Sequence, residues 1–545
     1  MDSAVLGARN LSGCEHRLAL DFNRREQAVP VEQTTEAQRR IEAAQIHRNE
    51  VISVLRGLQS ADPASYTEID DDAPLRERVA ATLAACRAGV PWIFRAWLPS
   101  DPEHGRRGHA EVLLRHGTGY LPIIIVNHRV ASPAKGERDA DAPPPSLRTS
   151  PLWGWTPEPD ATRTARSNRR DALRLTHLAS MLDDLGLSAF PDRADWQGGV
   201  IGSDADCIVA VGLGSLLADY DELLVRRRAV AEGRIATHPR KVSECRSCAW
   251  WPECEVTLYQ ERDLSLVIGG SAGEALRAAG IVTFDELADY RGEPPEDWPG
   301  SARLTDAVVS ANCLRDGIPL VRRLERPCVA RADIEVDVDM ESFGERGAYL
   351  WGTLLTDTTD PAVPVRYRPF VTWDPLPTDD EARSFAEFWG WMKDRRAEAA
   401  AQGKTFAAYC YSQQAENRWL RGSADRFAGY PGIPSREEVD AFIASPQWVD
   451  IYEAVGANFI CPNGKGLKRI APVAGFHWRD DEASGEASMD WYAAAVALDG
   501  TTLDVSQRDR LLEYNEDDVQ ATKVLREWLS SADILRLPTA EQVLS

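Results

Sequence analysis

The sequence predicts an α/β protein with two large domains and a small helical connector between them. The chain has 545 residues, which is too many for a single hydrophobic core. Short runs of apolar, β-branched residues alternate with amphipathic helical patterns in both halves of the chain. The pattern is interrupted at 327–332. We therefore predict domains at 1–260 and 327–545, with the connector at 261–326.

The overall composition is typical of a soluble globular protein. Hydrophobic residues make up 43% of the chain and charged residues 27%, which is ordinary for this class. No segment is long and apolar enough to span a bilayer, and the first residues lack the cationic start and apolar run of a secretory signal. We therefore expect a cytoplasmic protein with no membrane partner.

The charge balance argues against one class of nucleic-acid protein. The 62 basic and 85 acidic residues give a net charge of −23, whereas an architectural nucleic-acid binder carries a large basic surface. An enzyme acting on nucleic acid is still compatible, because a local basic groove can coexist with an acidic whole. Basic stretches at 163–174 and 226–228 are either phosphate contacts or solvated faces.

Residues 1–260 alternate between helical and extended patterns. The apolar residues of 36–58 recur at helical spacing, and 171–185 is a second amphipathic helix. The β-branched run at 120–126 predicts a buried strand. Further strands are predicted at 92–98, 111–115 and 208–213, and a further helix at 219–232.

Residues 264–288 predict short helices joined by glycine turns. A helical pattern follows Gly270, and a second one follows Gly280 and ends at Ala288. This arrangement resembles a helix–hairpin–helix unit, which binds backbone phosphate through peptide N–H groups. A small helical connector without that role is the alternative.

Four cysteines form a candidate cofactor site. Cys245, Cys248 and Cys254 have the spacing C-x2-C-x5-C, and Cys14 lies far upstream. Thiolates this close together hold a soft metal or an iron–sulfur cluster. Zinc sites more often contain two C-x2-C pairs, and this sequence has no second pair. We expect a cluster with a structural role, and structural zinc or free thiols are the alternatives.

The cysteine layout resembles the RecB-like nuclease domains of AddB and of the CRISPR adaptation nucleases. In those domains, four cysteines bind a [4Fe–4S] cluster that holds the two ends of a PD-(D/E)XK nuclease fold together. The resemblance covers residues 1–260 and implies the same fold and the same cluster for this part of the chain.

The catalytic pattern of that nuclease fold is incomplete in this sequence. His47 matches the helix histidine and Glu111 matches the first strand acid, so by resemblance both would be metal ligands. The following strand has Ile124 and Ile125 where a second carboxylate is required. One carboxylate and one histidine make a poor site for a divalent metal. We therefore expect a degenerate domain that keeps the fold better than the activity.

Acidic residues follow one face of a predicted strand at 333–341. Because side chains alternate along a strand, the apolar residues between the acids are predicted to be buried on the other face. A row of like charges on one strand face is costly unless a cation lies beside it. The row therefore predicts a cation site, and a solvated acidic strand is the alternative. The acids are Glu335, Asp337, Asp339 and Glu341.

Two later segments supply further candidate ligands. Glu416 lies in a predicted helix that follows a predicted strand. Tyr514 and Asp518 lie four residues apart in a late helical pattern, so they share one helix face. Asp517 is the nearby alternative to Asp518. A phenol next to a metal-bound carboxylate can orient water for hydrolysis.

In this order, the three segments resemble the motifs of RNase H-like DEDD exonucleases, most closely those of the YprB type. Asp339 and Glu341 match the Asp-x-Glu of the first strand, and Tyr514 with Asp518 matches the Tyr-x3-Asp of the last helix. Glu416 stands where the family more often has aspartate. The resemblance implies a 3′–5′ exonuclease whose four acids hold two Mg²⁺ or Mn²⁺ ions for hydrolysis of a phosphodiester.

The pairing of both domains resembles predicted RecB-family nucleases and implies DNA or RNA, as single strands or ends, as the substrate. Two alternatives stay open. One is a non-catalytic nucleic-acid binding module in which both nuclease folds have decayed. The other is an accessory subunit of a DNA repair or defence complex that works with a helicase. The sequence contains no G-x4-G-K-[ST] loop, so this chain supplies no P-loop ATPase itself.

Overall fold

A computed structural model describes residues 4–26, 35–59, 63–134, 147–300, 303–482 and 484–545 of the protein. The chain divides into two compact units, Met1–Glu261 and Arg262–Ser545. The helices of the segment predicted as a connector, 261–326, belong to the second unit. Within the described ranges, no helix is long and apolar enough to cross a membrane.

The first unit is built on a mixed sheet. The described strands are β1 Tyr66–Glu68, β2 Trp92–Trp97, β3 His109–His116, β4 Gly119–Ile125, β5 Ala131–Pro133, β6 Arg148–Ser150, β7 Glu158–Pro159, β8 Arg163–Ala165, β9 Gln197–Ile201 and β10 Ile208–Gly212. Eight of them form one sheet in the order β1-β2-β3-β4-β9-β10-β6-β7, and β5 pairs with β8. The strands predicted at 92–98, 111–115, 120–126 and 208–213 are confirmed as β2, β3, β4 and β10.

Helices cover this sheet. The described helices of the unit are α1 Glu15–Glu26, α2 Thr35–Gln59, α3 Leu75–Ala88, α4 Arg169–Asp184, α5 Leu217–Ala231 and α6 Trp251–Gln260. The helices predicted at 36–58, 171–185 and 219–232 are confirmed as α2, α4 and α5. Asn168 caps α4 by accepting a hydrogen bond from the Arg170 backbone N–H. Helix α4 packs against β4 and against a 3-10 turn at Ala8–Leu11, so it brings the start of the chain to the sheet.

The second unit is organised around a five-stranded mixed sheet. The described strands are β11 Val321–Arg322, β12 Ile334–Ser342, β13 Ala348–Asp357, β14 Arg366–Val371, β15 Phe406–Cys410, β16 Trp448–Asp450 and β17 Phe459–Ile460. The sheet order is β14-β13-β12-β15-β16. The pairs β12–β13 and β13–β14 are antiparallel, whereas β12–β15 and β15–β16 are parallel. Strand β12 is therefore central, with a neighbour on each side.

Helices surround this second sheet. The described helices are α7 Gly270–Ala278, α8 Phe284–Ala288, α9 Leu304–Asp316, α10 Asp380–Ala401, α11 Gln414–Arg426, α12 Arg436–Ile443, α13 Ile451–Asn458, α14 Leu467–Ile470, α15 Gly485–Ala495, α16 Ser506–Leu529 and α17 Ala540–Leu544. The predicted short helices are confirmed as α7 and α8. They are joined through Gly280, whose φ of 85° a glycine adopts without strain. Their phosphate-binding role stays a prediction.

The two faces of β12 have opposite chemistry, as its alternation predicts. Val336, Val338 and Met340 are buried in the main core of the unit together with aromatic residues of α10. Burying each such side chain contributes about 1.5–3 kcal/mol to folding. Because the alternation places the acids on the other face, they come to lie against α16, which packs on β12.

The first half of the acidic row is neutralised by a buried arginine. Glu335 and Asp337 are fully buried, and Arg526 of α16 contacts both. Arg526 Nη2 lies 2.7 Å from Asp337 Oδ2, and Arg331 Nε donates to Glu335 Oε1 over 2.6 Å. The cation that the row predicts is therefore supplied in this half by guanidinium groups.

Arg526→Met should destabilise the second unit strongly. The substitution keeps an apolar stem but leaves the carboxylates of Glu335 and Asp337 buried without this cation, which costs about 3–5 kcal/mol in free energy of unfolding. Urea unfolding followed by tryptophan fluorescence measures the loss. Arg536→Met is the matched control, because Arg536 is 84% exposed, and it should change stability by less than about 0.5 kcal/mol. Equal losses for both variants would contradict the assignment.

Candidate active site

Three carboxylates converge at the far end of the acidic row. Asp339 and Glu341 come from β12, and Asp518 comes from α16, which packs against that strand. One ligand oxygen of each lies within 4.8 Å of the other two. Glu341 and Asp518 are buried, and Asp339 is half-buried. The structure therefore brings together acids that are almost 180 residues apart in the sequence.

These acids are costly to ionise together. Burial, followed by repulsion from Asp518, raises the pKa of Glu341 to about 8. Burial and repulsion from the neighbouring acids also hold the pKa of Asp339 well above its ordinary value. Burial raises the pKa of Asp518 to about 6, although the ammonium of Lys468 opposes this shift. Burial is the largest cause of all three shifts, and a cation beside the cluster would favour the ionised carboxylates.

Uncharged hydrogen-bond donors hold the three carboxylates in place. Asn515 Nδ2 donates to Asp339 Oδ2 over 2.8 Å. Ser488 Oγ donates to Glu341 Oε2 over 2.9 Å. Trp478 Nε1 donates to Asp518 Oδ1 over 2.7 Å. The acids are therefore oriented by neutral donors, which leave their charge available to a cation.

Asn515 depends on a glycine in the neighbouring strand. Gly352 of β13 is paired with Asp339 in the sheet, and a Cβ added there would lie 1.6 Å from Asn515 Oδ1. The amide is also fixed from the other side, because the Tyr367 hydroxyl donates to Asn515 Oδ1 over 2.8 Å. The absence of a side chain at Gly352 therefore makes room for the residue that orients Asp339.

The third segment is placed as its helical spacing predicts. Tyr514 lies one turn before Asp518 on α16, and the interaction of its phenol with that carboxylate lowers the pKa of Asp518. Lys468 of α14 lies over the Tyr514 ring, with Nζ 4.7 Å from the centroid. Its charge lowers the pKa of Asp339, Glu341 and Asp518. A phenol and a cation thus border the acid cluster.

The structure separates the two neighbouring aspartates of α16. Arg479 donates to both oxygens of Asp517, from its backbone N–H over 2.9 Å and from its Nε over 2.8 Å. Asp517 therefore belongs to an ion pair away from the cluster, and Asp518 is the acid that faces β12.

Glu416 lies near the cluster but outside the group of three. It belongs to α11, and burial raises its pKa to about 8, with repulsion from Asp450 and Glu341 adding to the shift. Its Oε2 is buried and has no hydrogen-bond partner among the described residues. A buried carboxylate oxygen without a partner is rare, because leaving such a group unpaired is costly.

Asp450 acts as a scaffold for the turn that leads to Glu416. Asp450 Oδ1 accepts the backbone N–H groups of Ser412 and Tyr452, over 3.0 and 2.9 Å, and Oδ2 accepts that of Gln413 over 3.1 Å. Ser412 has a φ of 73°, a conformation that costs energy for a residue other than glycine. The Asp450 carboxylate therefore stabilises the strained turn before α11, and its oxygens are already used.

The four predicted cofactor cysteines surround one cavity in the first unit. Cys14, Cys245, Cys248 and Cys254 all line a space of about 440 Å³. Burial raises the pKa of Cys254 to about 11, and electrostatic repulsion from Cys248, Cys14 and Cys245 adds to this shift. The four thiols are therefore close enough to influence one another. In the described chain, no three of these sulfur atoms lie within 4.8 Å of one another. Tetrahedral zinc with bonds of about 2.3 Å would hold them about 3.8 Å apart.

The two candidate ligands of the degenerate nuclease site are not grouped as a metal centre. Glu111 is buried in β3, and its Oε1 accepts from Arg174 Nη2 over 2.6 Å. His47 Nε2 is buried and makes no hydrogen bond to any described residue. Ile124 and Ile125 are buried in β4. The one strand carboxylate is therefore paired with a guanidinium, and both positions for the second acid are apolar.

The basic stretches singled out in the sequence are largely ion-paired. Arg163 pairs with Asp206, and Arg226 pairs with Glu15. Arg169 and Arg170 pair with Asp219 and Glu244. These contacts favour the interpretation of both stretches as structured protein surface.

Asp101, His104 and Asp184 form another group of metal-ligand atoms within 4.8 Å of one another. His104 and Asp184 are exposed. Arg106 contacts both carboxylates, with Nη2 at 3.2 Å from Asp101 Oδ2. A guanidinium therefore already supplies the positive charge, and we assign no metal to this group.

A comparison with known protein families supports the description of the second unit. Residues 425–530 match a family model of the RNase H superfamily. The second unit contains an RNase H-like domain. This RNase H-like domain suggests a nuclease-type function. No curated protein and no solved structure matches the chain. The matched residues include Tyr514 and Asp518, whereas β12 lies outside them.

The raised pKa values predict how the metal-free protein responds to pH. A carboxyl whose pKa is higher in the folded state than in the unfolded chain stabilises the fold when protonated, so this contribution is lost as pH rises through the folded pKa. For Glu341, the window runs from 4.5 to about 8. In EDTA, the unfolding midpoint of the second unit should therefore contain a component that falls across this window, and Glu341→Gln should reduce it, leaving the part contributed by Glu416 and the other acids with raised pKa values.

Glu345→Gln is the control for this pH experiment, because Glu345 is 85% exposed. It should leave the slope of the unfolding midpoint against pH as in the wild type. Added Mn²⁺ should stabilise the wild type more at about pH 8 than at about pH 6, because the ligands must lose their protons to bind it. Identical slopes for wild type and Glu341→Gln would show that the Glu341 pKa is not raised.

Proposed function

We propose that the second unit is a metal-dependent nuclease that hydrolyses phosphodiester bonds of DNA or RNA, of the 3′–5′ exonuclease type by its resemblance to DEDD enzymes. One observation carries the proposal. Asp339, Glu341 and Asp518 are close together, buried or half-buried, and Asp518 repels both of the others, in a unit that contains an RNase H-like domain. In the structural pairs of Glu335 and Asp337, by contrast, a guanidinium lies directly beside each carboxylate.

The donor set fits hard divalent cations. Carboxylate oxygens are the ligands that Mg²⁺ and Mn²⁺ prefer. Asp339, Glu341 and Asp518 would hold the ions, and Glu416 would complete the set through its unpartnered Oε2. When bound, two divalent ions would activate a water molecule and stabilise the leaving oxygen of the phosphodiester.

The remaining polar residues have supporting roles in this proposal. Tyr514, one helical turn before Asp518, orients the attacking water. Lys468, whose charge already acts on all three acids, binds the phosphate group of the substrate. Asn515 and Ser488 hold their carboxylates in the geometry required for metal binding.

Asp518→Asn should reduce the rate of cutting by about two orders of magnitude or more, which is the size of the loss when other catalytic groups are removed. The amide keeps the size and the acceptor for Trp478 but removes the negative charge that binds the cation. Asp517→Asn is the matched control, one residue away on the same helix, and should keep most of the activity because Asp517 pairs with Arg479. The assay measures release of label from end-labelled oligonucleotides in Mg²⁺ or Mn²⁺.

The same assay tests the wider proposal. Single- and double-stranded DNA and RNA identify the substrate, and labels at the 5′ or 3′ end identify the polarity of cutting. EDTA should abolish activity. Wild-type cutting by a well-folded Asp518→Asn protein would overturn the assignment of the site. A wild-type protein that binds nucleic acid but does not cut it with either metal would support the non-catalytic alternative.

We also propose that the first unit is a RecB-like PD-(D/E)XK domain with a degenerate catalytic site and a [4Fe–4S] cluster. Cys14, Cys245, Cys248 and Cys254 would hold the cluster. Their sulfur atoms surround a cavity and are spread more widely than tetrahedral zinc requires, which favours a larger group than a single ion. Such a cluster would join the start of this unit to its end and so restrict the unfolded chain.

Cys248→Ala should remove the cluster. Wild-type protein purified without oxygen should be brown, with broad absorption near about 400 nm from thiolate-to-iron charge transfer. The variant should be colourless and unfold at a lower temperature. Cys328→Ala is the control, because Cys328 is exposed and does not line the cavity, and it should keep the colour. A colourless wild type that contains one zinc ion per chain would contradict the proposal.

A further inference from the structure

A second cavity in the first unit has a cationic lining. It has a volume of about 610 Å³ and lies beside the 3-10 turn at Ala8–Leu11, the ends of β2 and β3, and α4. Among its described lining residues there is no carboxylate. Its polar lining residues are Arg9, Asn10, Ser100, Arg107, His109 and Arg174.

The charge next to this cavity is unbalanced. Glu111 is buried and pairs with Arg174 of the lining, and Asp171 also interacts electrostatically with Arg174. Arg48 interacts with Glu111, Arg9 and Arg174. Arg9 is exposed, and no ion pair or hydrogen bond joins its side chain to the described part of the chain. The three guanidinium groups therefore outnumber these two carboxylates. Such surroundings repel a divalent cation and attract an anion.

An aromatic pair lines the same cavity. Trp97 of β2 and His109 of β3 face each other in the sheet and stack with their ring centroids 4.8 Å apart. Both rings belong to the cavity lining. Guanidinium groups bind phosphate, and flat rings stack on nucleic-acid bases. The cavity thus combines the two chemical features that hold a single strand.

We propose that this cavity binds a phosphate and the adjoining base of a single-stranded nucleic acid, without a metal ion. Arg9 and Arg174 contact the phosphate, and the base stacks on the outer face of His109, because His109 and Arg78 already lie against the Trp97 ring. The chain as a whole carries a net charge of −23 and repels polyanions, so affinity depends on local clusters of this kind. The proposal does not depend on cutting by the second unit.

Fluorescence anisotropy with a labelled single-stranded oligonucleotide of about 12 nucleotides tests this site. The measurement is made in EDTA, so metal-dependent cutting does not contribute. Arg9→Ala should weaken binding about tenfold, as expected for loss of a charge-assisted hydrogen bond. Arg9→Lys should restore much of the affinity because it restores the charge. Arg87→Ala, which changes an exposed arginine of α3 that lines neither cavity, should bind like the wild type.

Salt dependence shows whether Arg9 binds a phosphate group. For a single strand, the slope of log affinity against log salt concentration becomes shallower by about 0.7 for each phosphate that the protein no longer neutralises. Arg9→Ala should show this change while circular dichroism stays as in the wild type. Unchanged affinity and slope would overturn the proposal, as would a wild type that does not bind the oligonucleotide in EDTA.

A mononucleotide competitor tests the single-strand assignment. It should displace the oligonucleotide only at much higher concentration, because it reaches fewer binding groups on the protein. Competition at the same concentration as an unlabelled oligonucleotide would overturn the assignment to a strand. Failure of the acid cluster as a nuclease would appear only in the metal-dependent assay, so the two proposals fail separately.

Discussion

Four carboxylates on one face of β12 impose the main constraint on the second unit. β12 is the central strand, so these charges cannot be left to bulk water, and burying them without partners would be very costly. Residues of α16 contact the carboxylates in both halves of the row. Its Arg526 neutralises Glu335 and Asp337, while Asn515 and Asp518, on the same stripe of the helix, meet the other half. In the other half, no guanidinium of the described chain lies against the carboxylates, and burial and mutual repulsion raise the pKa values of Asp339 and Glu341.

The first unit has the opposite electrostatics around a similar group. Glu111 is also a buried strand carboxylate, yet it lies among Arg174, Arg48 and Arg9. An excess of carboxylates selects cations, whereas an excess of guanidinium groups selects anions. The proposed absence of metal chemistry in this unit and the proposed binding of phosphate therefore both follow from the local excess of guanidinium groups.

Periodic patterns allowed much of the fold to be predicted. The apolar alternation of β12, the β-branched run of β4 and the helical patterns of α2 and α4 are local properties, so their positions follow from the sequence. The first and third acidic segments were singled out by their resemblance to family motifs, and the spacing of Asp-x-Glu in a strand and Tyr-x3-Asp in a helix places each pair on one face. Asn515 could have been found by the same spacing, since it lies three residues before Asp518.

Sequence alone determined which residues are acids, which of them share a face and which segments are helices or strands. Tertiary structure decided which acids share a counter-charge. Asp517 and Asp518 are adjacent, but one residue turns a helix by about 100°, so one reaches Arg479 and the other reaches β12. Ser488 and Trp478 come from segments with no recognisable motif, and only packing brings them to the carboxylates. Which residue neutralises a charged side chain depends on distances in the folded protein, and a local sequence pattern does not contain those distances.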